Sequence, residues 1–75
     1  MKNIETTLFY KDNFPEEYVI INEEAVALID YIKGGATEFK IDGDTYENKD
    51  LSSISFSDIN YKGEMQSIAI QFSNE

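Results

Sequence analysis

The chain has 75 residues and is 41% hydrophobic, with five Phe, five Tyr, no Cys and no His; fifteen acids against six lysines give a formal net charge of −9. This length makes one domain, residues 1–75, with a modest core, and its apolar content excludes an intrinsically disordered chain. The missing Cys excludes a disulfide framework and thiolate metal sites. The charge argues against direct nucleic-acid binding and against anionic membrane surfaces, both of which recruit clustered cations.

The segment NIETTLFY is rich in Thr, Leu and aromatics and reads as a first strand, about Ile4 to Tyr10. Pro15 and the polar residues around it mark a loop. YVII, Tyr18 to Ile21, is a continuous apolar run, the pattern of a strand covered on both faces.

NEEAVALIDYIKGG carries a helix. Ala25, Leu28, Ile29 and Ile32 fall at i, i+3, i+4 and i+7, one apolar stripe. Asn22 is the expected N-cap. Glu23 and Glu24 complement the dipole in the first turn and Lys33 in the last, and Gly34 is the expected left-handed stop. Glu23, Ala27 and Asp30 lie on the outer face, with Val26 and Tyr31 flanking the stripe.

TEFKIDGDTYE reads as a hairpin. Asp42-Gly43 suits a type I′ turn, which needs positive φ at both central residues. That turn sets Ile41 opposite Asp44 and Phe39 opposite Tyr46, an aromatic cross-strand pair. The remaining apolar pattern, Leu51 to Phe72, reads as a second hairpin. A three-residue loop of Tyr61, Lys62 and left-handed Gly63 would set Phe56 opposite Ile68, Ile54 opposite Ile70 and Ile59 opposite Met65. It would also set Ser57 opposite Ser67 and Ser53 opposite Gln71. The inward parity switches between Phe56 and Ile59, which predicts a bulge near Ser57–Asp58. The expected fold is α+β: one helix packed on a mainly antiparallel sheet of about 5–6 strands, in the order β-β-α-β-β-β-β.

Chemistry-bearing motifs are sparse. The acids around Gly43 invite a calcium-loop reading. An EF-hand loop starting at Asp42 would need an oxygen ligand at its fifth position, glycine at its sixth and Glu at its twelfth. Tyr46, Glu47 and Ser53 stand there. Without Cys or His, activated nucleophiles and zinc sites lack their usual groups. Ser53, Ser55 and Ser57 repeat by two, as on a solvated sheet face. Gly34-Gly35 follows a helix, whereas a phosphate cradle precedes one. Tyr10, Tyr18, Tyr46 and Tyr61 read as half-buried edges of the core. The expectation is a non-enzymatic chain with no cofactor.

No segment approaches the roughly 20 apolar residues of a membrane span, and MKNIETTLFY lacks a signal-peptide apolar run. The chain is therefore expected to be cytoplasmic and not membrane-bound, in keeping with the missing Cys.

In size, acidity, lack of Cys and His, and α+β pattern, the chain resembles small accessory proteins of bacteriophages and mobile elements, in the style of anti-CRISPR-type inhibitors. NEEAVALIDYIKGG and TEFKIDGDTYENKD carry the resemblance. It is a resemblance of class and gives no residue a role. It implies a protein-binding inhibitor or regulator and names no target; some proteins of that class present carboxylates where a nuclease would otherwise bind nucleic-acid phosphates. The expected partner is a protein with a basic surface, such as a nucleic-acid-processing or defence protein. The partner-binding candidates are Glu16, Glu17, Glu23, Glu24, Asp30, Asp42, Asp44, Tyr46, Glu47 and Asp50. Two alternatives stand beside this reading: a homo-oligomeric assembly module using an under-covered sheet face or free edge, and a small-ligand or metal binder using Asp42 and Asp44.

Overall fold

A computed structural model describes residues 2–72. Among them the elements run β1 (Asn3–Tyr10), β2 (Glu16–Ile21), α1 (Asn22–Lys33), β3 (Glu38–Ile41), β4 (Asp44–Glu47), a 3₁₀ turn (Asn48–Asp50), β5 (Leu51–Tyr61) and β6 (Glu64–Gln71). The α+β class and the element order agree with the sequence reading. The strands divide into two antiparallel sheets: a four-stranded one in the order β2-β1-β5-β6, and the separate hairpin β3-β4.

Period-two patterning decides which face of the larger sheet is buried. Ile4, Thr6 and Leu8 of β1 point inward, with Ile54, Phe56 and Ile59 of β5 beside them. α1 lies against this face, its stripe of Ala25, Leu28, Ile29 and Ile32 fully inside. The helix packs mainly on β5, β2, β3 and β1. The small hairpin contributes Phe39 and Ile41 to the same core. Phe39 stacks on Phe72 at 6.4 Å between centroids and lies 6.0 Å from Tyr46.

The structure corrects four local expectations. First, β2 is an edge strand covered on one face only: Ile20 is buried, but Val19 is 61% exposed. An apolar run without periodicity cannot report which face is covered. Second, Asn22 does not cap α1. The cap position is Ile21, without a side-chain cap bond. The Asn22 side chain instead donates to the Asn60 carbonyl and accepts from the Asn60 N–H, both at 2.9 Å, tying the helix start to β5. Third, Gly34 stays right-handed at φ −75, and Gly35 takes the left-handed position at φ 103.

Fourth, the second hairpin turns through two residues, Lys62 and Gly63, both with positive φ. Tyr61 therefore faces Glu64, and Ile59 faces Gln66 rather than Met65. The extra residue assigned to the loop sits in the bulge between Phe56 and Ile59, where Asp58 has φ 53 and its N–H reaches Ser67 Oγ at 3.4 Å. Beyond the bulge, Phe56–Ile68, Ile54–Ile70 and Ser53–Gln71 pair as expected. The two-residue turn matches strand twist, and the bulge lets Phe56 and Ile59 both point inward. The first hairpin agrees with its expected turn and register throughout, with Phe39 opposite Tyr46 and Ile41 opposite Asp44.

Candidate interaction groove and acidic surface

A groove of about 380 Å³ runs between α1 and the β3-β4 hairpin. Ile20, Leu28 and Ile41 form its apolar floor, and Tyr31 its wall. Glu24 comes to its rim from the helix, and Asp42 and Lys40 from the hairpin. The helical contribution has a simple origin. Glu24, Ala27, Leu28 and Tyr31 are spaced i, i+3, i+4 and i+7, a second stripe rotated from the core stripe. Ala27, the small residue of that stripe, leaves the space open. Tyr31 remains 58% exposed. Two of the sequence candidates, Glu24 and Asp42, thus meet at one concave apolar surface.

The other acids disperse. Asp30 is engaged: Tyr61 Oη donates to its Oδ1 at 2.6 Å. Lys33 and Lys62 Nζ lie 5.2 and 5.1 Å from the centre of the Tyr61 ring, so this side of α1 is locally balanced in charge. Neighbouring Glu16 and Glu17 diverge by strand alternation. Glu17 pairs with Thr7 on the sheet face away from the helix, while Glu16 accepts a hydrogen bond from Tyr10 Oη. Glu47 and Asp50 lie beside Tyr10 and Tyr46, lining a smaller depression of about 280 Å³. Glu23 and Asp44 are exposed at the helix start and beyond the hairpin turn.

The tyrosines link these clusters to the core. Tyr18 meets Tyr46 edge-on at 5.9 Å, and Tyr10, Tyr18, Tyr46 and Tyr61 are all half-buried against the core. Burial raises the Tyr10 phenol well above its ordinary value, helped by its hydrogen bond to Glu16. Burial also raises Tyr46, with the Glu16 charge adding to it. The hydrogen bond to Asp30 raises Tyr61, opposed in part by Lys62. In each case ionisation would remove a buried or donating neutral phenol.

Sequence reasoning missed Ile20, Ala27, Leu28, Tyr31, Lys40 and Ile41 as groove residues. The Glu24-Ala27-Leu28-Tyr31 stripe was the available signal, but only the folded hairpin turns it into a groove. Among the described residues, no group of three or more acids is arranged to hold a metal ion, and no helix is long and apolar enough to cross a membrane. No family model matches the chain, no curated protein matches it, and no solved structure matches it.

Proposed function

We propose that this chain is a non-enzymatic, acidic protein-binding module that occupies a basic surface of a partner protein and so inhibits or regulates it. The observation that carries this reading is the groove between α1 and the β3-β4 hairpin, where Glu24 and Asp42 rise from separate elements beside an apolar floor. Such a surface suits a partner segment with an apolar or aromatic anchor flanked by Lys or Arg. The anchor supplies desolvated contact area, and the carboxylates steer and orient the encounter. The net charge of −9 attracts a basic partner from a distance. Surfaces that bind nucleic-acid phosphates carry this complementary charge, so a nucleic-acid-processing or defence protein is the partner class of choice. The resemblance to phage accessory proteins points the same way.

The test is retention of identified proteins on the immobilised domain. Proteins with basic surfaces should bind at low salt and be released near about 0.5 M salt, where screening confines charge interactions to a few ångströms. Glu24→Lys with Asp42→Lys should abolish retention. Ala27→Trp, which fills the groove without changing charge, should abolish it too. Retention that survives both high salt and these substitutions would sink the proposal.

A further inference from the structure

We propose that β6 is a self-association edge, through which two copies pair antiparallel and join their four-stranded sheets into one of eight strands. The proposal is independent of the groove. β6 pairs with β5 on one side and ends the sheet on the other. An edge strand presents alternate N–H and C=O groups that no described residue satisfies, a template for another strand.

The two edges of this sheet are protected very differently. β2 begins with Glu16 and Glu17, directly after Pro15. Charges and proline at an edge discourage pairing. β6 has no proline, and its one charge, Glu64, stands at its first position beside the turn; from Met65 to Phe72 the chain carries no charged residue. In a chain of net charge −9, a second copy meets repulsion over most approaches. Along Gln66–Phe72, the stretch centred on Ala69, it meets none.

The inward residues of β6 supply the apolar term. Ile68 and Ile70 are only half-buried, because α1 packs mainly on β5, β2, β3 and β1. A two-fold axis at Ala69 is self-complementary. It sets Ile68 against Ile70 of the second copy, Ser67 against Gln71 and Gln66 against Phe72. Paired residues in an antiparallel ladder share a face, so both isoleucine pairs fall on the core side and cover one another. The contact is isologous and closes as a dimer.

Sedimentation equilibrium of the full chain tests this. Between about 10 µM and 1 mM the mean mass should rise toward twice the chain mass, as mass action requires. Added salt should strengthen the association by screening like charge, opposite to its effect on a basic partner. Ala69→Lys puts two lysines face to face at the axis and should weaken the dimer by about tenfold or more. Val19→Lys, on the other edge, should leave it unchanged. In wild-type protein, amide protection along β6 should rise with concentration, a readout that needs no variant to fold. A monomer across the whole range overturns the proposal. So does association that Ala69→Lys leaves intact, association that Val19→Lys weakens equally, or growth into open assemblies through β2 and β6.

Discussion

The two hairpins turn in the same way and then behave differently. Asp42-Gly43 and Lys62-Gly63 both place two successive residues at positive φ: 54 and 86 in the first, 52 and 90 in the second. Between four-residue arms, the turn alone sets the register of β3 and β4. Between arms of eleven and eight residues it does not, because Phe56 and Ile59 both need burial and lie an odd number of residues apart. The ladder absorbs the mismatch as a bulge. A turn therefore dictates pairing only over the first few residues. Beyond that, the demand to bury side chains can overrule it.

The hairpins also differ in how completely they are covered, and the largest predicted effect breaks that contrast. Phe39 of β3 is 2% exposed, between Tyr46 and Phe72. Phe39→Ala should cost about 3–5 kcal/mol, measured by urea unfolding, as for a buried aromatic truncation. That approaches the whole stability of a small domain. Ile68→Ala, on the half-covered arm of β6, should cost only about 1 kcal/mol, because little of its transfer energy has been realised. Equal losses at dilute concentration would show that β6 is as well covered as β3.

The turns come next. A Cβ added at Gly43 or at Gly63 meets no atom within 4 Å, so each alanine substitution is penalised by its φ alone. Gly43→Ala and Gly63→Ala should each cost about 1–2 kcal/mol. A loss at Gly43 with none at Gly63 would mean that the bulge, rather than the turn, sets the second register.

A gain should come from the strand that joins β5 to β2. Thr6 lies opposite Phe56 on one side and Tyr18 on the other, fully buried, and its hydroxyl has no partner among the described residues. Thr6→Val keeps the shape and removes the unpaired group. The melting temperature should rise, corresponding to about 1 kcal/mol.

The smallest effect is a pH dependence. Tyr46 of the first hairpin and Tyr61 of the second both have phenols raised above the ordinary value of 10.0, and so does Tyr10. A folded-state value above the unfolded one adds stability that is complete below about pH 10 and lost as pH rises through the folded values. Unfolding followed from neutral to strongly alkaline pH should show this decline. Tyr10→Phe should flatten it most, since Tyr10 loses both burial and its bond to Glu16 on ionising. A flat wild-type profile would mean that these phenols are not held by the fold.

Local periodicity was enough to read much of this fold. The stripe Ala25, Leu28, Ile29, Ile32 specified the buried face of α1 because a helix repeats its faces every 3.6 residues. Alternation around Asp42-Gly43 specified the first hairpin, and the parity switch from Phe56 to Ile59 specified the bulge. Long-range bonds escaped the sequence. Asn22 looks like a cap, but its side chain is taken by Asn60, 38 residues away. YVII looks doubly covered, yet Val19 faces outward from the sheet edge.

The candidate acids show the same division. Their number and the charge of −9 are properties of composition, and composition alone rules out stapling by disulfides and argues against phosphate binding. Their grouping is a property of packing. Strand alternation separates Glu16 from Glu17, Tyr61 engages Asp30, and the docking of the small hairpin against α1 brings Asp42 to Glu24 across an apolar floor. The sequence by itself determined the elements, most of their buried faces and the sign of the surface, because these depend on neighbours a few residues apart. Only the tertiary structure decided which carboxylates share a groove and which strands are left at the edges of the sheet, because those depend on which distant segments compete for the same core.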